Sequence, residues 1–119
     1  MSTVLMLASF GLEIVECAGA LLRAQEAGDR IHAAVLLSRP ESRPQIREAA
    51  ARLGIDDVEF LGFEYGGFGT GPEAKVPLVE LIRRVRPDIA IFQDPEHAQH
   101  DLDPDRRIIA ILYPEAFAV

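Results

Sequence analysis

The chain has 119 residues, of which 49% are hydrophobic, and a formal net charge of −7. This length suits one domain with a sizeable core, and the hydrophobic content argues against disorder. The negative charge makes nucleic acid and anionic membranes poor partners, because both attract cationic surfaces.

The single cysteine, Cys17, excludes an intramolecular disulfide and is typical of a reducing compartment. We interpret it as a small hydrophobe rather than a nucleophile. The sequence shows neither a signal-peptide pattern nor an apolar stretch of membrane-spanning length, so we expect a cytoplasmic protein.

Short apolar runs alternate with helical patterns along the chain, as in proteins built around a parallel sheet. The apolar face predicted for the first helix consists of Leu12, Val15, Gly19 and Leu22. The predicted elements are strands at residues 4–8, 31–37, 58–61 and 88–92, and helices at 12–27, 42–53, 70–86 and 106–112.

Local signals mark several element ends. Ser42 and Thr70 begin sequences with capping-box spacing, which predicts side-chain caps at two helix starts. Pro114 is expected to end the last helix, and His32, near the start of the second strand, is expected at the surface.

Right-handed crossovers place the four strands in the order 3-2-1-4. We therefore predict one domain over residues 1–119, an α/β three-layer Rossmann-like sandwich with a mainly parallel sheet. The loops after the first and fourth strands then meet at one crevice, where ligands bind in open α/β sheets.

Residues 62–71 form a glycine-rich loop that also contains three aromatic residues. The loop is interpreted as a flexible lid or a contact surface, and it lacks the ending of a phosphate-binding P-loop. Two placements of the rings stay open: an exposed apolar patch, or packing back onto the sheet. The rings are Phe63, Tyr65 and Phe68.

Five stretches, in this order and spacing, resemble the LmbE-like, or PIG-L, de-N-acetylase family. These are metal-dependent enzymes that remove an acetyl group from N-acetylglucosamine conjugates and similar amides. The resemblance implies the same α/β fold, a zinc cofactor for an active member and an amino-sugar substrate. The stretches are residues 4–8 leading into a helix with Gly19, then 28–31, 47–55, 58–63 and 81–88.

The first catalytic motif of that family is degenerate here. After the first strand the family carries a histidine and an aspartate that bind zinc, with another aspartate as general base. Without a gap, Phe10 takes the histidine's place, Leu12 the base's and Glu13 the second aspartate's. A one-residue shift puts Ser9 in the histidine's place, so the histidine is absent in either alignment.

The family's second motif, histidine-x-aspartate-histidine, has its counterpart at residues 103–106. Asp105 is retained, but Arg106 replaces a zinc ligand, and a guanidinium repels a cation. Tyr65 stands where the family often has an aspartate. The resemblance thus implies Asp105 and Glu13 as catalytic candidates, with Phe10, Arg106 and Tyr65 as substrate contacts.

Imidazole and carboxylate side chains gather between residues 93 and 105, and two interpretations stay open. One is a relocated metal site, since bound zinc activates water for attack on an amide. The other is a solvated polar loop, because catalytic zinc needs three well-placed ligands and a nearby base. The candidate ligands are Glu13, His97, His100 and Asp103, with Asp101 and Asp105 beside them.

We predict a LmbE-like domain that has lost zinc-dependent deacetylation, needs no cofactor, and serves as a binding or structural protein. We expect it to form a homo-oligomer and to bind a small amino-sugar-like ligand. One alternative is a divergent zinc-dependent hydrolase that uses Glu13, His97 or His100, and Asp105. Another is a nucleotide or sugar-phosphate binder that uses the crevice and the glycine loop.

Overall fold

A computed structural model describes all 119 residues. Four parallel strands form one sheet in the order β3-β2-β1-β4, which confirms the predicted topology. All but the first residue of each of the two central strands are buried, because helices cover both faces of the sheet. The strands are β1 (Thr3–Ala8), β2 (Arg30–Val35), β3 (Val58–Phe60) and β4 (Ile89–Ile91).

Helices lie on both faces of the sheet and complete three layers, as expected for a Rossmann-like sandwich. One apolar core lies between the sheet and α1–α3, and the other between the sheet and α4 and α6. The helices are α1 (Leu12–Glu16), α2 (Ala18–Glu26), α3 (Arg43–Arg52), α4 (Pro72–Val85), α5 (Pro95–Ala98) and α6 (Pro104–Ala118), with a 3-10 turn at Pro40–Ser42.

The helix predicted at residues 12–27 is divided at Cys17, which has non-helical dihedral angles. Its predicted apolar face is wrong: Leu12 is 61% exposed and Val15 52% exposed, and Leu22 is also exposed. The buried residues are instead Ile14 and Leu21. The prediction assumed one continuous helix. Because the helix axis changes at the break, residues on the two sides of Cys17 do not share the predicted apolar face.

Neither predicted capping box forms. Ser42 does precede α3, but its side chain makes no capping hydrogen bond and its backbone is already helical. The residue before α4 is Gly71 rather than Thr70, and it has no side chain with which to cap. The spacing therefore located these helix starts to within a residue or two without identifying the groups that satisfy their N–H donors.

The last helix is longer at both ends than predicted and contains Pro114 in its interior. A proline inside a helix removes one backbone hydrogen bond. Here the flanking turns bury Ile109, Leu112, Tyr113 and Ala116 against the α4 side of the sheet. This apolar burial on both sides of the proline offsets the lost bond and carries the helix through to Ala118.

His32 is 8% exposed, so its predicted surface position is wrong. It lies on β2, which is flanked by β1 and β3, and strand pairing on both sides encloses it. Its Nδ1 atom lies 2.7 Å from Asp57 Oδ2, a contact that compensates for the lost hydration. None of the helices has the length and apolarity needed to cross a bilayer.

Candidate functional site

The loops that follow β1 and β4 meet at the carboxyl edge of the sheet, as the topology predicts. A cavity of about 240 Å³ lies there between α1, α5 and the start of α6. Its lining is predominantly acidic, and it includes Glu16, which was not among the predicted site residues. The charged or titratable lining residues are Glu13, Glu16, Asp94, His97, Asp101 and Arg106.

Glu13 turns back onto the end of β1 and accepts hydrogen bonds from three consecutive backbone N–H groups. Its Oε2 atom accepts from Ser9 N at 2.9 Å. Its Oε1 atom accepts from Phe10 N at 3.2 Å and from Gly11 N at 3.1 Å. The carboxylate thus occupies the space between these three N–H donors, where the turn could otherwise bind an anion. Both oxygens are committed to the turn itself.

Phe10 and Arg106, which stand at the two histidine positions of the resembled motifs, are in direct contact. The Arg106 guanidinium carbon lies 4.9 Å from the centroid of the Phe10 ring, a cation–π arrangement. Tyr65 stacks on the same ring, with centroids 5.9 Å apart and planes inclined by 22°. The structure therefore brings together all three residues predicted to contact a ligand, as an ordered stack.

Asp105, the retained aspartate of the second motif, is only 6% exposed. Both of its carboxylate oxygens accept from Gly66 N, at 3.0 and 3.1 Å. This contact fastens the tip of the glycine-rich loop to the first turn of α6. Within the loop, Phe63 and Phe68 pack against the core while Tyr65 stays half exposed, so each of the two predicted placements applies to part of it.

The polar segment between β4 and α6 is organised by its own aspartates. Asp94 and Asp103 cap α5 and α6 by accepting from Glu96 N and Asp105 N. Asp101 accepts from Asp103 N and faces Arg106 at 3.4 Å, and these two groups lower the pKa of its carboxyl. His97 and His100 are both exposed.

These side chains do not fit a zinc ion. No three histidine, cysteine, aspartate or glutamate side chains lie close enough together to hold a metal. Both oxygens of Glu13 already accept backbone hydrogen bonds, and the Arg106 guanidinium lies beside the turn where a cation would sit. Glu13, His97, His100 and Asp103 are thus not assembled into a set of metal ligands.

Three further residues connect the site to the core through contacts that the sequence did not predict. Ser9 is 1% exposed, and its Oγ atom donates to Gln93 Oε1 at 3.4 Å. Gln93 Nε2 in turn donates to the Arg106 carbonyl at 2.8 Å. Tyr113 lies beneath this turn, with a buried hydroxyl that has no hydrogen-bond partner. Tyr113 could have been recognised from the sequence, because it is the one hydroxyl-bearing residue in the apolar run of α6.

Cys17 lies at the break between α1 and α2 and is partly buried against the core of that face. Burial, together with the charges of Glu16 and Glu13, raises the pKa of its thiol. A raised pKa lowers the thiolate fraction, so the position does not favour nucleophilic chemistry.

The sequence matches no family model, and no curated protein matches it. Solved structures with the same fold do match. The N,N'-diacetylchitobiose deacetylase from Pyrococcus horikoshii superposes with a TM-score of 0.87 at 20% sequence identity, over 98% of this chain and 49% of that one.

Two other solved structures match at a TM-score of 0.80. A conserved protein from Thermus thermophilus is 29% identical, over 99% of this chain and 56% of its own. The 4-carboxy-2-hydroxymuconate hydratase GalB from Pseudomonas putida is 22% identical, over 98% of this chain and 55% of its own. The chain thus spans about half the length of these neighbours and shares their fold.

Proposed function

We propose that this chain is a binding domain on a LmbE-like fold, and that its crevice holds a small amine-bearing, amino-sugar-like ligand without zinc-dependent deacetylation. The observation that carries the proposal is the stack of Arg106 on Phe10. At the two positions where the family places metal-binding histidines, this chain has a cation and an aromatic ring that satisfy each other. The neighbouring carboxylate, Glu13, is committed to the β1 turn.

The lining of the crevice favours a cationic ligand. Glu13, Glu16, Asp94 and Asp101 contribute four carboxylates, against the one guanidinium of Arg106. A protonated amine on a sugar ring would be attracted by this excess of negative charge. Beyond Arg106 and Phe10, the half-exposed Tyr65 offers an aromatic surface of the kind found in many small-molecule sites.

Zinc content tests the loss of deacetylation. Protein incubated with zinc and then desalted is expected to retain no stoichiometric metal and to release no acetate from N-acetylglucosamine conjugates. One tightly held zinc per chain, lost together with acetate release in Glu13→Ala or His100→Ala, would instead establish the divergent hydrolase. Leu102→Ala is the matched control, because Leu102 is 95% exposed and lines none of the crevice.

Ligand binding is tested by NMR titration of the His97 ring, which lines the cavity. Glucosamine is expected to shift this signal saturably, and glucose, which lacks the amine, is not. Glu16→Gln should weaken glucosamine binding by removing one charge while leaving the fold intact. Equal responses to both sugars, or a response only to nucleotides, would refute the amine-based proposal.

Self-association completes the proposal. Leu12 and Val15 are exposed beside a groove of about 280 Å³ whose lining also includes Phe10, Ile46 and Ala49. Contiguous apolar surface of this kind is typical of contacts between proteins. We propose that a second copy of the chain covers it, and that the oligomer resides in the cytoplasm.

A further inference from the structure

A second cavity, of about 240 Å³, lies at the opposite, amino edge of the sheet. It forms where the carboxyl end of α4 meets the first residues of β1 and β2 and the residue before β3. The parallel register places these side chains on the face of the sheet that α4 covers. The lining residues are Thr3, Arg30, His32, Asp57, Arg84 and Val85.

His32 is the buried polar group of this cavity, with 10% of its side chain exposed. Its Nδ1 atom donates to Asp57 Oδ2 at 2.7 Å, because a carboxylate can only accept. Its Nε2 atom is buried and has no hydrogen-bond partner; Glu59 Oε1 lies 3.8 Å away. A buried nitrogen without a partner is costly, so a polar group bound in the cavity beside it would be stabilised.

The carboxylates around the cavity already have hydrogen-bond partners. Glu59 receives two hydrogen bonds of 2.7 Å from Arg84, which hold the pKa of its carboxyl below the ordinary value. Asp57 pairs with His32, and Asp88 accepts from Thr3 N at 2.8 Å.

Arg30 is exposed and forms no ion pair, so its charge is available to a ligand. With two arginines and one aspartate, this lining has the opposite charge balance to the acidic crevice at the other edge.

We propose that the amino-edge cavity binds a phosphate group, with the guanidinium of Arg30, the remaining N–H donors of Arg84, the Thr3 hydroxyl and His32 Nε2 as its donors. The planar donor fork of arginine matches the geometry of phosphate oxygens. For Nε2 to donate, the ring takes up a second proton from the solvent or from the phosphate itself, since Nδ1 already carries one toward Asp57. This site is separate from the proposed amino-sugar crevice and does not depend on it.

The chain's three histidines provide an internal test. Inorganic phosphate is titrated at constant ionic strength while the ring signals of all three are followed by NMR. The His32 signals are expected to shift saturably, whereas those of His97 and His100, beyond the other edge, stay unchanged. No saturable shift at His32, or equal shifts at all three rings, would overturn the proposal.

Arg30→Gln is the decisive variant, because the side chain is exposed and its loss should not unfold the protein. It is expected to weaken phosphate binding by about tenfold or more. Arg23→Gln, on the opposite face of the sheet, should bind phosphate as the parent does. An unchanged affinity in Arg30→Gln would contradict the site.

The same titration with glycerol phosphate distinguishes the two sources of the phosphate group. Binding of the ester at least as tight as that of the ion identifies a phosphate monoester as the ligand. Binding of inorganic phosphate alone identifies the free ion.

Discussion

Glu13 shows how one side chain can change from a candidate ligand to a structural group. Three N–H groups at the end of β1 point into the same small space, and they need an acceptor. A carboxylate at position 13 reaches all three, because it lies only two to four residues farther along the chain. The turn that could have received a ligand's oxygens is therefore filled from within the chain.

We predict that Glu13→Ala lowers the free energy of unfolding by about 1–3 kcal/mol, because it leaves three turn N–H groups without their charged acceptor. Urea denaturation measures this change. Glu16→Ala is the matched control: Glu16 is exposed and makes no hydrogen bond, so its loss should matter by less than about 0.5 kcal/mol. Equal destabilisation by both variants would contradict the structural role of Glu13.

Tyr113 is expected to make the folded protein less stable in alkali. Burial raises the pKa of its hydroxyl above the usual range, and the negative charge of Glu13 raises it further. The folded protein keeps this proton, whereas the unfolded chain releases it near the ordinary pKa of about 10. The unfolded state therefore binds fewer protons above that pH, and stability falls as the pH rises.

Tyr113→Phe is expected to reduce that decline by up to about 1.4 kcal/mol per pH unit above pH 10. At neutral pH the variant should be as stable as the parent or more so, since the hydroxyl it loses has no hydrogen-bond partner. Denaturation curves collected at several alkaline pH values measure both effects. The same alkaline slope in parent and variant would show that Tyr113 does not govern it.

The elements at the carboxyl edge are positioned by an unusual backbone turn between β1 and α1. Gly11, the residue before α1, has a φ of 100°, which side-chain-bearing residues rarely adopt. This turn sends α1 off at the angle that returns Glu13 to the strand end and leaves Leu12 and Val15 exposed. The direction of the short helix thus follows from the turn rather than from its own apolar pattern.

Gly11→Ala is predicted to destabilise the protein by about 1–3 kcal/mol, because alanine is strained at this φ. Its Cβ would also lie 2.8 Å from Ile46 Cδ1. Gly19→Ala, within α2, is the control: nothing lies within 4 Å of its added Cβ. That change should stabilise the protein by roughly 0.5–1 kcal/mol, and thermal unfolding of the two variants should therefore shift in opposite directions.

Across the whole molecule, charge is divided between the two edges of the sheet. The carboxyl-edge cavity is rich in carboxylates, whereas the amino-edge cavity has two arginines and one aspartate. The net charge of −7 gives no indication of this uneven distribution of charge. This division would direct a cationic and an anionic ligand to opposite ends of the strands, as the two binding proposals require.

Val15→Glu is expected to convert the proposed oligomer to a monomer of 13.1 kDa, because it places a charge in the apolar groove beside Leu12. Sedimentation equilibrium measures the mass directly. Leu102→Glu, at an exposed position outside that groove, should sediment as the parent does. A parent protein that is already monomeric would refute the proposed self-association.

The architecture was predictable from sequence because apolar runs without alternation report burial on both faces, and right-handed crossovers leave few strand orders. The sheet order and the meeting of the loops after β1 and β4 followed from these local signals. Some elements deviate from the prediction made from their local patterns. Helix α6 continues through Pro114, and α1 separates from α2 at Cys17.

The candidate site was predictable only as a set of residues at one edge of the sheet. The contacts among these residues depend on atoms that the fold brings together from distant parts of the chain. The stack of Arg106 on Phe10 joins residues from opposite ends of the chain, and His32 meets Asp57 through strand pairing. The sequence by itself determined the sheet and the location of the crevice, because these follow from periodicity and chain connectivity. Only the tertiary structure decided that Phe10 and Arg106 contact each other, because that depends on angstrom-scale contacts which no local pattern encodes.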